Sequence, residues 1–295
     1  MREDPFFAVG DPGRAALETV DGAPSALIGP ADIEVTRASV AGMVIRAASV
    51  RGVQHRARQT LRQDAFALGH RALAGEPAHT VAVVCDGVGS LRNSDCAASA
   101  VSQRLAERGA AGVSWPAAFA HANEELAKLA AEWEAGGYGG MATTAVAVVV
   151  RRESGTWMGE VAWVGDSTLW HLSDDLRWTL VSGTSPEADR DYHSSAVRPM
   201  PTHDGACASR AFRLPGGALF AMTDGVANPL QWSPEVRASL AAWWARPPDP
   251  LTFAAQVGFA KKTHMDDRTV VGIWPDGMGE DDGQESGPGT ADPDR

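Results

Sequence analysis

Six aspartates sit where strand-like runs begin or end. Asp64 opens "DAFAL", Asp86 closes "VAVVCD", and Asp166 lies in "WVGDS" between two β-rich runs. Asp224 closes "ALFAMTD", and Asp266 and Asp267 immediately precede "RTVVGIW". Asp86 and Asp224 are each followed at once by glycine. Aspartate is rarely fully buried unless something pairs with it, and an unpaired buried carboxylate is costly. Taken singly, each acid reads as a helix N-cap or a turn former. Taken together, the margin of one sheet would collect carboxylates from segments far apart in the chain. Such groups repel and raise one another's pKa unless a divalent cation neutralises them. An all-oxygen donor set selects hard ions such as Mg2+, Mn2+ or Ca2+. Glycine beside Asp lets the backbone come close, so a carbonyl can add one more oxygen.

The elements that must position these acids are legible as well. "TTAVAVVV" (143–150) and "GEVAWVG" (159–165), "STLWHL" (167–172) and "RWTLVS" (177–182), and "SRAFRL" (209–214) and "ALFAMTD" (218–224) read as three successive hairpins, which argues for antiparallel sheets. Two helices precede them, over 94–112 with Ser94 as N-cap and over 114–137 with Ser114 as N-cap. A further helical pair, 234–246 and 249–262, leads to a last strand at 268–274. This order predicts an α+β fold: two antiparallel β-sheets packed as a central sandwich flanked by helices, α-β-β-α. The expected organisation is an N-terminal extension (1–40), a main domain (41–274) and an acidic, disordered tail (275–295). A long polar stretch broken by Pro and Gly, 183–208, predicts a mobile loop.

Composition narrows the class. The chain has 295 residues, 44% hydrophobic and 21% charged, enough for a substantial core. Three scattered cysteines form no zinc pattern and fit a reducing, cytoplasmic setting. The first residues lack the apolar stretch of a signal peptide, and the longest apolar run, 145–150, is far too short to span a bilayer. The net charge is −11, with seven acids beyond Trp274 against Arg295, so much of the excess lies in the tail. The body carries no basic stripe, which argues against nucleic acid as a partner.

"RQDAF", "VVCDGVGS", "MATTAVAVV", "AWVGDSTLW", "LFAMTDGVAN" and "MDDRTVVGIW" resemble, in order, the motifs of the type-2C metal-dependent serine/threonine protein phosphatases, nearest to their bacterial branch. The resemblance covers roughly residues 50 to 274. It implies a phosphoric monoester hydrolase acting on phosphorylated Ser/Thr proteins in bacterial signalling, with a cognate protein kinase as its counterpart. It implies two Mg2+ or Mn2+ ions about 4 Å apart, bridged by Asp86 and held with help from the Gly87 carbonyl. Asp224 and Asp266 would complete the shell of one ion, and Asp64 would serve the other. Asp166 would match the acid that holds a looser third ion in some members. Of the arginines ahead of Asp64, Arg58 is favoured as the phosphate-binding one over Arg56 and Arg62.

Two departures stand out. Where many relatives carry a His proposed as general acid, this chain has Val88; where many carry a further Asp, it has Asn228. The proton for the leaving group would then come from water or another residue, and a third ion would be held weakly. These changes keep an alternative open: a catalytically weak or inactive phosphatase-fold regulator that binds a phosphoprotein or partner.

Overall fold

The computed structural model describes residues 9–11, 31–74, 77–182 and 198–275. Most of the expected mobile loop, at 183–197, lies outside the described residues, as do the acidic tail from 276 onward and most of the N-terminal extension.

Strands β1 (Ile33–Val40) and β2 (Met43–Val50) form a hairpin closed by Ala41 and Gly42 at φ 50° and 81°, both left-handed as a tight two-residue turn requires. After helix α1 (Val53–Arg58) come the paired strands β3 (Ala65–Arg71) and β4 (His79–Cys85), then helices α2 (Ser94–Ala110) and α3 (Trp115–Ala135). Strands β5 (Ala145–Glu153), β6 (Thr156–Val164), β7 (Thr168–Leu172), β8 (Trp178–Leu180), β9 (Ala208–Leu214) and β10 (Ala218–Met222) follow. Helices α4 (Asp224–Trp232), α5 (Pro234–Trp244) and α6 (Pro250–Val257) lead to β11 (Arg268–Pro275). One sheet runs β1-β2-β11-β10-β7-β8, the other β3-β4-β5-β6-β9, with every neighbouring pair antiparallel. The architecture is the expected α-β-β-α sandwich.

Strand parity explains the layers, because successive side chains point to opposite faces. In β2, Met43, Ile45 and Ala47 enter the core between the sheets, while Val44 and Ala48 face the α4–α6 side. In β4, Ala82 and Val84 face the other sheet, while Val81, Val83 and Cys85 pack under α2 and α3. A strand covered on both faces must be apolar throughout, which is why "VAVVC" is unbroken. The α4–α6 side is closed by aromatic rings: Trp244 stacks on Phe220 at 5.1 Å, and Trp274 meets Phe220 edge-on at 5.2 Å. Their polar edges are satisfied, Trp274 Nε1 donating to the Trp244 carbonyl and Trp244 Nε1 to Gln256 Oε1.

Two sequence expectations need correction. The third hairpin is not one: β9 pairs with β6, while β10 pairs with β7 and β11. All five residues of β10 are buried, so it must lie inside a sheet; β9 is largely exposed and forms the edge of the other. Pro215-Gly216-Gly217, with both glycines at positive φ, therefore carries the chain between sheets. The N-cap of α2 is Asn93 rather than Ser94. Ser94 Oγ instead donates to the Val88 carbonyl at 3.0 Å, pinning the loop after Asp86. Among the described residues, no helix is long and apolar enough to cross a membrane.

Candidate metal centre

Asp64 and Asp86 are neighbours because β3 and β4 are paired with Ala65 opposite Cys85. The two acids thus leave the same end of one hairpin. Asp64 is almost fully buried, and its Oδ2 accepts from both Thr223 Oγ1 and Thr269 Oγ1 at 2.9 Å. These threonines belong to the other sheet's strand ends, where the Thr223 N–H donates to the Thr269 carbonyl and the Thr269 N–H to Thr223 Oγ1. Asp64 is therefore a polar rivet between the two sheets. Burial and the charge of Asp267 hold its pKa well above the usual carboxylate range, against the pull of the two hydroxyls.

Asp86 sits half-buried in the loop after β4. Its carbonyl accepts from the Thr144 N–H at 2.8 Å and from Thr143 Oγ1 at 2.9 Å. The next residue has to be glycine: a Cβ on Gly87 would lie 2.6 Å from the Gln63 carbonyl oxygen and 2.7 Å from that of Ser94. Burial pushes the Asp86 carboxyl well up, and the charges of Asp64, Asp224, Asp166 and Asp266 push it further. Asp224 opens α4 directly after β10. Burial first, then Asp166 and Asp266, raise it to about 6, while a side-chain hydrogen bond with Asp86 works the other way. Asn228 Nδ2, one turn on, donates to Asp224 Oδ2 at 3.2 Å. Asp166, in the β6–β7 turn behind Gly165 (φ 91°), is raised chiefly by burial. The acids that the sequence reading singled out, Asp64, Asp86, Asp166, Asp224 and Asp266, thus converge at one end of the sandwich.

The acidic pair before β11 divides its duties. Asp267 is buried and takes three donors: the Gly52 N–H (2.6 Å), the Gln63 N–H (2.6 Å) and His55 Nδ1 (2.8 Å). Asp266 is exposed, with its side chain 60% accessible, and faces the cluster; His55 Nε2 lies 3.8 Å from its Oδ1. His55 was missed as a site residue in the sequence, and Asp267, though among the six strand-margin acids, was given no role there. The only signal was the doublet itself, in which strand parity sends one acid outward and one inward. Behind them, buried Arg268 donates to the carbonyls of Gly225 and His264 and stacks over Phe259 at 4.6 Å, which ties the start of α4 to β11.

Among the described residues, the tightest group of candidate ligand atoms is His55, Asp266 and Asp267, all within 4.8 Å of one another. That proximity alone does not make it the best cation site, because Asp267 is already satisfied by three N–H groups. The wider set around Asp86 is different: its carboxylates elevate one another's pKa and have few donors. A divalent cation is the group that such oxygens fit. Arg58 is exposed and lies on the wall of an adjoining cavity of about 510 Å³, which His55, Gln63 and Arg92 also line.

A family model described as Protein phosphatase 2C matches residues 51–255. Among solved structures, a bacterial serine phosphatase is 18% identical, with a TM-score of 0.59, covering 80% of this chain and 98% of its own. The serine/threonine phosphatase Stp1 from Staphylococcus aureus is 16% identical, with a TM-score of 0.53, covering 86% and 99%. The catalytic domain of the serine threonine protein phosphatase PstP, in a complex with two manganese ions, is 20% identical with a TM-score of 0.51, covering 78% and 97%. At these identities the likeness is one of fold. No curated protein matches the chain by sequence.

Proposed function

Because this chain belongs to the protein phosphatase 2C family, we propose that it is a metal-dependent serine/threonine phosphoprotein phosphatase working in the cytoplasm opposite a protein kinase. The observation that carries this reading is the convergence of Asp64, Asp166, Asp224 and Asp266 from separate segments on the loop of Asp86, where their charges add to burial in raising its carboxyl. A binding module has no use for such a repulsive arrangement, whereas a pair of Mg2+ or Mn2+ ions does. In this reading Asp86, with help from the Gly87 carbonyl, and Asp224, Asp266 and Asp64 would hold the ions. Asp166 marks a third, weaker position, weakened further by the neutral Asn228. When bound, such ions supply a water of near-neutral pKa and screen charge on the phosphoryl oxygens.

The chain's own residues have the remaining tasks. Thr143 and Thr144 fix the Asp86 carbonyl, and Asn228 orients the Asp224 carboxylate. Asp267 and His55 hold the strand end that presents Asp266. Arg58 is assigned to the phosphoryl group. Val88 has no proton to give, so solvent protonates the leaving alkoxide. Hydrolysis of p-nitrophenyl phosphate and of a phosphothreonine peptide, measured with Mn2+ and with chelator, tests the proposal. Metal-dependent turnover that Asp86→Ala abolishes is the expected result; no turnover with any divalent ion refutes it. Val88 and Asn228 favour the second reading, a phosphatase-fold regulator that binds a phosphoprotein without hydrolysing it, and that negative result would select it.

A further inference from the structure

We infer that the cavity beside the carboxylate cluster is a second anion site, which selects substrates bearing another acidic group close to the phosphorylated residue. The inference rests on the phosphatase reading and adds a substrate class to it. The chain as a whole carries a net charge of −11, yet among the described residues no carboxylate lines this cavity of about 510 Å³. Its charged walls are Arg58, already assigned to the reacting phosphoryl group, and Arg92, left for the second anion, with the buried His55 between the cavity and Asp266. With the Gln54 amide oxygen turned toward it, the Arg58 guanidinium is held at 2.8 and 3.0 Å. Arg92 makes no hydrogen bond or ion pair with any described residue, so its donors are available to a ligand.

The cavity is built onto the catalytic loop. Gln63 lines it and directly precedes Asp64; its carbonyl accepts from the Gly87 N–H at 3.2 Å. Gln63 Nε2 donates to the Leu91 carbonyl at 2.9 Å, which fixes the segment that carries Arg92. Gln63 Oε1 is left buried with no donor, beneath Gly89, which has no side chain to cover it. The Gln63 side chain and carbonyl thus tie the cavity wall to the loop that carries Asp86. A phosphopeptide whose phosphoryl group sits at the Asp86 cluster would therefore run its neighbouring residues through this cavity. There a guanidinium is suited to a carboxylate or phosphate, which it can grip with two parallel N–H groups. A charge-assisted contact at a solvent-exposed arginine corresponds to about a two- to fivefold preference, and it weakens with salt.

The test uses the full chain with Mn2+ and three phosphothreonine peptides of equal length. One has neutral flanks, one has glutamates on both sides, and one has a second phosphothreonine. Wild type is expected to show about two- to fivefold higher kcat/KM on the acidic peptides than on the neutral one, a margin that shrinks in high salt. Arg92→Glu should remove or invert that margin while p-nitrophenyl phosphate turnover stays unchanged. Preference for the second phosphate alone would narrow the site to phosphoryl groups; preference for both assigns it to any anion. Equal kcat/KM on all three peptides, or an unaltered preference in Arg92→Glu, overturns the inference. Failure of the phosphatase reading shows separately, as wild type inert toward p-nitrophenyl phosphate. Fluorescence anisotropy then decides the same question from peptide affinity, and equal Kd values overturn it.

Discussion

Replacing Asp86 with asparagine should stabilise the metal-free protein while destroying its response to metal. Asp86 is pushed up by burial and by four neighbouring carboxylates, so ionising it at neutral pH costs folding free energy. Asp224, in the same cluster, gives the scale: raised from 3.8 to about 6, roughly two pKa steps at about 1.4 kcal/mol each, or about 3 kcal/mol. The sign follows from linkage. A carboxyl with a raised folded-state pKa holds its proton longer in the native than in the unfolded chain, so stability falls as pH rises. For Asp224 that loss begins near its unfolded pKa of about 4 and is complete above about 6. Asparagine at position 86 removes one such cost and keeps an N–H able to donate to Asp224. At about 2–4 °C per kcal/mol for a domain of this size, Asp86→Asn should unfold about 5–10 °C above wild type at pH 7.5 in chelator. The gap should shrink toward pH 4, where the wild-type carboxyl is protonated. Mn2+ at a thousandfold its Kd should reverse the order, since it adds about 4.1 kcal/mol to wild type alone. Thermal unfolding by circular dichroism in a matrix of pH and metal reads all four conditions. If Asp86→Asn melts below wild type in chelator at pH 7.5, the claim that these aspartates repel one another in the folded chain is wrong.

Other outcomes follow from the scaffold. Thr269→Val deletes one of the two hydroxyls that Asp64 accepts from; urea unfolding should show a loss of about 1–3 kcal/mol with an unchanged m-value. Gly225→Ala would drive a Cβ into the Asp267 carbonyl, and the backbone shift should cost about 1–3 kcal/mol and weaken Mn2+ binding in calorimetry.

The sequence by itself determined the layered α+β class and most helices and strands, and it singled out acids as candidate ligands. These are periodic or local signals: an unbroken apolar strand ending on Asp-Gly is visible without neighbours. It also supported the family, because six motifs in order outweigh any one of them. What failed was whatever depended on pairing. The "PGG" between β9 and β10 has the look of a hairpin turn, yet burial of every β10 residue placed that strand at the interior of the other sheet. The Asp266-Asp267 doublet likewise gives no hint of which acid turns inward. Only packing β11 between β2 and β10 brings Asp267 beneath Gly52, His55 and Gln63 and leaves Asp266 facing the cluster. The Arg92 cavity was equally invisible, since its walls come from α1 and from the loop after Asp86, and their meeting is set by long-range hydrogen bonds. Local patterns follow from the period of the chain, whereas sheet membership and the inward choice of a side chain are set by what remains to be buried once every other strand is in place.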